Sequence, residues 1–203
     1  MTNKYFEPSA VHLFRYKVAS ADMYYSEVEE RDVFIGKNEN GKFSIWGETA
    51  DGRPSSRINL CEIFLEYGLY CCSWCSMDES LYHMQNFGER LGHTIAQYLI
   101  ENPLLLMGEN PAVCALEQVF ETIGACFSVE YSESDVRFMV TNCPLESAAK
   151  HSGLSNIELA RHGINAMCRS LILDINPNVT VGASAETRAE FILMITTPYH
   201  SWV

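Results

Sequence analysis

Apolar residues recur every three or four positions through the middle of the chain, which is the spacing of one face of an α-helix. The clearest run covers residues 78–101 and uses Leu81, Met84, Gly88, Leu91, Ile95 and Leu99. Asp78 is in a position to cap this helix. Weaker runs of the same period predict helices over residues 58–73, 111–124, 144–151 and 155–175. Ser155, with Glu158 three residues later, forms a capping-box pattern at the start of the last helix.

Short apolar or alternating runs at both ends of the chain predict β-strands instead. Three runs lie near the N-terminus, at residues 11–14, 33–35 and 43–46. Asn40-Gly41 separates the second and third runs and suits the positive φ angles of a tight turn, which predicts a β-hairpin. Four later runs predict strands at residues 126–129, 136–140, 179–183 and 191–196.

A stretch rich in Gly, Asp, Pro and Ser at residues 47–56 reads as a loop. It is the best candidate boundary between an N-terminal strand and hairpin extension, residues 1–56, and a main body, residues 57–203. The predicted fold class is therefore α+β, with an antiparallel sheet packed against a layer of helices and an N-terminal β-hairpin extension. Gly88 and Gly92 lie one turn apart on the longest helix. They predict a close approach there, either by another backbone or by a ligand, and we expect at least one of them to face a ligand cavity.

Composition narrows the range of partners. The formal net charge of the 203 residues is −12, which disfavours nucleic acid and anionic membrane surfaces as partners. No run approaches the ~18 consecutive apolar residues of a membrane span, and the start of the chain has no signal-peptide pattern. We therefore expect a cytoplasmic protein whose eight cysteines are reduced.

The cysteines suggest two candidate chemistries. Cys72 and Cys75 form a C-x-x-C pair, which is typical of redox or zinc sites, but the pair lies at the end of a predicted helix and has no second pair. Buried structural cysteines and no structural zinc are the expectation there. Cys143 precedes Pro144 at a strand-to-helix corner. It is either a small residue that fits the corner or a nucleophile with His151 or His162 as its base.

The last predicted hairpin carries an alternating polar run. Glu186, Arg188 and Glu190 fall on one side of the strand, where they would either line a polar pocket mouth or form a solvated turn.

Several motifs in the main body occur in the order seen in a known domain. They are Ile123-Gly124, Asn142-Cys143-Pro144-Leu145, the strand pair Val179-Thr180-Val181 and Phe191-Ile192-Leu193-Met194-Ile195, and the segment Phe87-Gly88-Glu89-Arg90-Leu91-Gly92. From about residue 81 to 196 the chain resembles the 4-vinyl reductase-like (hydrocarbon-binding) domain family. That family is related in fold to vesicle-transport-particle subunits and, more distantly, to haem nitric-oxide-binding domains.

The resemblance implies helices against an antiparallel sheet with an apolar pocket between them, often in a homodimer. The pocket residues that it implies here are Met84, Phe87, Gly88, Gly92, Phe127, Phe138 and Met167. The family often carries cysteines near its last turn, but residues 186–190 contain none, so its metal site does not transfer. The strand, Cys-Pro and helix order at residue 143 is also similar to the aminothiazoline-carboxylate hydrolase-like proteins.

The function expected from the sequence is binding of a small, mainly apolar molecule by a carrier, sensor or accessory protein. One alternative is an enzyme, either a hydrolase using Cys143 and His151 or a reductase-like protein acting on a tetrapyrrole vinyl group. The other alternative is an assembly partner. The sequence contains no phosphate-binding loop, nucleophile elbow, dinucleotide fingerprint or HExxH motif, and it indicates no particular cofactor.

Overall fold

The computed structural model describes residues 11–19, 28–38, 40–49, 52, 54–55, 59–153, 156–183 and 191–196. The strands are β1 (Val11–Ala19), β2 (Val28–Lys37), β3 (Phe43–Glu48), β4 (Pro54–Ser55), β5 (Cys126–Tyr131), β6 (Asp135–Asn142), β7 (Thr180–Ala183) and β8 (Phe191–Thr196). The helices are α1 (Leu60–Trp74), α2 (Met77–Glu101), α3 (Pro111–Thr122), α4 (Leu145–Ser152) and α5 (Ile157–Ile175), with a 3₁₀ turn at Pro103–Leu106. The predicted α+β class is confirmed.

The N-terminal strands form an antiparallel sheet in the order β1-β2-β3-β4. The predicted hairpin joins β2 to β3, and Gly41 adopts a φ of 74° in its turn. The Asn38 side chain accepts hydrogen bonds from the backbone N–H groups of Asn40 and Lys42, which holds the turn closed. The segment predicted as a loop is partly wrong, because β3 continues to Glu48 and Pro54–Ser55 pairs with it as β4.

The second sheet is also antiparallel and has the order β5-β6-β8-β7. Alternate residues of β6 are buried at Val136, Phe138 and Val140, as the period of two along a strand requires. Leu193 and Ile195 of β8 are buried in the same way. The buried residues of both sheets and of the helices form one continuous hydrophobic core.

The helix starts differ from those predicted. Ser76, and not Asp78, is the N-cap of α2: its side chain accepts from the Glu79 N–H, and the Glu79 carboxylate accepts from the Ser76 N–H. Asn156 is the N-cap of α5 and makes no side-chain capping bond; its amide nitrogen donates to the Leu65 carbonyl of α1 at 2.9 Å. Ser155, the predicted cap, lies outside the described residues.

Helices α2 and α5 run in the same direction and pack backbone to backbone. A side chain at Gly88 would meet the Gly163 carbonyl of α5, and one at Gly92 would meet the Met167 carbonyl. Of the two alternatives that the sequence left open, the structure therefore has the backbone contact. The expectation that one of these glycines faces a ligand cavity is corrected accordingly. Among the residues that the structure describes, no helix combines the length and apolar character needed to cross a membrane.

Candidate functional site: a polar cleft between α2, α5 and the β7–β8 edge

One face of α5 carries polar side chains at helical spacing. His162, Asn165 and Arg169 stand at positions i, i+3 and i+7, so they follow one another along the same side of the helix. The opposite side, which includes Ile164 and Met167, is buried in the core. Seven residues of helix rise about 10 Å, so this polar face presents three functional groups along that length.

These side chains line a cleft of about 490 Å³. The neighbouring helix α2 contributes Gln85 and Glu89, and the opposite wall consists of Val181, Gly182 and Leu193 from β7 and β8. The volume lies within the range of small-molecule sites, roughly 300–1,000 Å³. One side of the cleft is therefore polar and the other largely aliphatic.

Among the described residues, the α5 side chains that line the cleft differ from others on that helix in having no protein partner. Arg161, also on α5, is paired with Glu158 and Glu146, and Asp174 lies 2.7 Å from His93. Within the described part of the chain, no hydrogen bond or ion pair joins His162, Asn165 or Arg169 to another residue. A donor-rich surface is thus left open to whatever enters the cleft.

The α2 side of the cleft supplies a carboxylate. Gln85 donates a hydrogen bond to Glu89 Oε1 at 2.8 Å, and this bond orients the carboxylate. Because Gly88 packs against Gly163 and Ala166, the adjacent Glu89 lies at the level of Ala166, between His162 and Arg169 along α5. Glu89 and Arg169 line the same cleft, yet they form no ion pair among the described residues.

The apolar pocket residues expected from the resemblance are part of the packed core. Met84, Phe138 and Met167 are fully buried and Phe87 is 4% exposed. Phe87 stacks on Tyr67 with ring centroids 4.2 Å apart. The half-buried Phe127 stacks on Phe138 at 5.0 Å. None of the seven residues lines the cleft, so the structure separates that predicted set from the cavity described here.

Cys143 occupies the corner before α4 and is 3% exposed. Its sulfur lies 3.9 Å from that of Cys61 on α1. The nearby Cys168 is also buried, and that burial raises the pKa of its thiol far above the usual range. His151 is exposed in the last turn of α4, whereas His162 lies in the cleft. This environment fits the structural interpretation of Cys143 better than that of a nucleophile open to substrate.

The C-x-x-C pair lies at the end of α1, as the sequence predicted. Cys75 is the C-cap residue and is half-buried, Cys72 is exposed, and the neighbouring Cys71 is buried. The expectation that the pair consists of buried structural cysteines is therefore wrong for Cys72. Burial raises the pKa of the Cys71 thiol to about 12. No set of three or more His, Cys, Asp or Glu side chains is placed to hold a metal ion in the ranges that the structure describes.

A second, smaller cavity of about 380 Å³ lies beside the β5–β6 turn. Its side chains include Tyr131 and three acidic residues, Glu109, Glu133 and Asp135. The alternating residues Glu186, Arg188 and Glu190, considered from the sequence as a pocket mouth, lie outside the described residues.

Comparison with protein-family models, with curated proteins and with solved structures finds no match to this chain. The site is therefore defined by its own geometry. The one sequence signal that pointed toward it was His162, considered there as a base for Cys143. The spacing of His162, Asn165 and Arg169 alone resembles any solvated helix face, and only the packing of β7 and β8 makes it the wall of a cleft.

Proposed function

We propose that this protein binds a small molecule in the cleft between α2, α5 and the β7–β8 edge, as a carrier, sensor or accessory protein. The observation that carries the proposal is that His162, Asn165 and Arg169 line one 490 Å³ cavity and have no partner among the residues that the structure describes. Binding sites combine an enclosing shape with a few polar groups that orient the ligand, and this cleft has both features.

The ligand suited to this cleft differs from the mainly apolar one expected from the sequence. A purely apolar molecule would cover Arg169 and Glu89 without replacing their hydrogen bonds to water, which costs free energy. A molecule with polar groups on one side and an aliphatic portion on the other satisfies both walls. The ligand is accordingly small, polar on one side and apolar on the other.

A cysteine-dependent hydrolase is less consistent with this geometry, because Cys143 is buried beside Cys61 and away from solvent. The reductase-like and assembly alternatives stay predictions.

Native mass spectrometry of the protein purified from its own cells tests the proposal. We expect the wild-type protein to carry a small molecule that the Arg169→Gln protein retains at a much lower level. Lys150→Gln is the matched control, since Lys150 is an exposed cation on α4 and not a lining residue of the cleft. Equal retention by wild type and Arg169→Gln would place the bound molecule elsewhere.

A further inference from the structure

We infer that the ligand is amphoteric and resembles an amino acid, with a carboxylate that faces Arg169, an amine that faces Glu89 and a short aliphatic group against Val181 and Leu193. This inference rests on the proposed function, because it assigns the chemistry of a molecule in the same cleft. It follows from the charges, the geometry and the apolar wall of the cleft.

The charges of the lining side chains restrict the ligand. Among the described side chains that line the cleft, Arg169 and Glu89 carry opposite formal charges. A ligand with one positive and one negative group complements both residues. A dianion such as a phosphate monoester would meet the Glu89 carboxylate as well as the guanidinium, in a chain whose net charge is already −12.

Arg169 is the side chain of the cleft that would face the anionic end of the ligand. A guanidinium offers five N–H donors in a planar fork that matches the two oxygens of a carboxylate. Arg169 has this fork open to the cleft, with no partner among the described residues. Asn165 lies about one turn earlier on the same face and adds an amide donor. The Arg169 end of the groove is therefore suited to a carboxylate.

Glu89 is the side chain of the cleft that would face the cationic end of the ligand. Gln85 donates to one oxygen of Glu89, and the second oxygen accepts no hydrogen bond from a protein donor in the described part of the chain. Glu89 lies level with Ala166, three residues before Arg169 on α5, so the two charges are offset by about one helical turn. A small molecule that carries an amine and a carboxylate on neighbouring atoms can contact both residues, because the flexible side chains of Glu89 and Arg169 cover the rest of the offset.

The wall of the cleft opposite α5 is largely aliphatic. Val181 is half-buried on β7, and Leu193 of β8 is 3% exposed. This wall takes a short aliphatic group in preference to a charged or strongly polar one.

Isothermal titration with valine, valinamide and N-acetylvaline tests the inference, because the three probes share one side chain and differ in charge. We expect valine to bind the wild-type protein at least about tenfold more tightly than either analogue, since each analogue lacks one charge-assisted pairing. Arg169→Gln should abolish the preference for valine over valinamide. Glu89→Gln should abolish the preference for valine over N-acetylvaline.

The matched controls are Lys150→Gln and Glu101→Gln, which change an exposed charge outside the cleft and should keep both preferences. Equal binding of all three probes, or no binding of valine, would overturn the inference. A parallel screen of uncharged fragments separates the two proposals: fragments that bind in the cleft without regard to charge leave the proposed function standing while the amphoteric ligand fails. If fragments do not bind in the cleft either, the proposed function fails as well.

Discussion

Glycine at positions 88 and 92 allows the backbone of α5 to lie directly against α2. The atoms that a methyl group would meet are the carbonyls of Gly163 and Met167, which belong to a helix backbone and have little freedom to move. The small size of these two residues therefore determines how closely the helices approach, and that approach places Glu89 beside the polar face of α5.

Gly88→Ala and Gly92→Ala should each destabilise the protein, by roughly 1–3 kcal/mol, because an added methyl overpacks the interface. The gain in helix propensity from alanine is smaller, at most about 1 kcal/mol. Chemical denaturation measures the change in the free energy of unfolding. Gly182→Ala is the control, since its methyl would have no neighbour closer than 3.9 Å among the described residues. Unchanged stability in both helix variants would contradict the backbone contact.

Cys143→Ser distinguishes a structural cysteine from a nucleophile. The buried position predicts a loss of stability of about 1–3 kcal/mol, because serine places a more polar group than a thiol in a buried site. Binding in the cleft should stay close to that of wild type, since Cys143 does not line it. A catalytic activity that the wild type possesses and that this variant loses by several orders of magnitude would restore the hydrolase alternative.

The α1 helix is joined to the first sheet by a half-buried polar group. Glu66 of α1 accepts a hydrogen bond from the Tyr16 hydroxyl at 2.8 Å and another from Arg31 at 2.7 Å. Burial raises the pKa of Glu66, although Arg31 and the Tyr16 hydrogen bond act in the opposite direction. Its proton is therefore held more tightly in the folded protein than in the unfolded chain.

A raised pKa makes a stability contribution that is complete at low pH and is lost as the pH rises. The free energy of unfolding of wild type, relative to that of Glu66→Gln, should accordingly fall as the pH increases above the ordinary glutamate pKa of 4.5. Denaturant titrations across acidic to neutral pH measure this difference, with the exposed Glu101→Gln as the control. A difference that instead grows with pH would mean that Arg31 dominates over burial.

The start of α2 provides a second test at this scale. Ser76→Ala should cost about 1 kcal/mol of stability, because it removes the side chain that caps the Glu79 N–H. Ser73→Ala is a close control: Ser73 is exposed near the end of α1 and bonds the Leu69 carbonyl, so its loss should be nearly neutral. Equal effects of the two substitutions on the unfolding midpoint would argue against the capping role of Ser76.

Sequence patterns located most elements because their signals are local. The apolar spacing over 78–101 matches α2, and Asn40-Gly41 marked the β2–β3 hairpin. The first residue of a helix depends on which nearby side chain accepts the hydrogen bond from the first turn, and Ser76 lies only two residues before Asp78. The cleft was not predictable in the same way, because β7 and β8 become its wall only through tertiary packing against α5.

The prediction that the whole protein forms a homodimer at micromolar concentration stays a prediction. Trp74, Met77 and Tyr82, around the α1–α2 junction, are 53%, 65% and 64% exposed. Large apolar side chains exposed in one region are the kind of surface that association removes from water. Light scattering should give twice the chain mass, and a single species of the chain mass at that concentration would contradict the prediction.

The second sheet and the α2–α5 pair together create the cleft, so the proposed function is tested most directly by mapping where small molecules bind. Two-dimensional ¹H–¹⁵N NMR of the full chain, recorded with a set of small amphoteric, anionic, cationic and neutral compounds, provides that map. We expect the largest amide shifts on saturation at Glu89, His162, Asn165, Arg169 and Gly182. Compounds that bind specifically but shift only amides remote from this cleft would contradict it.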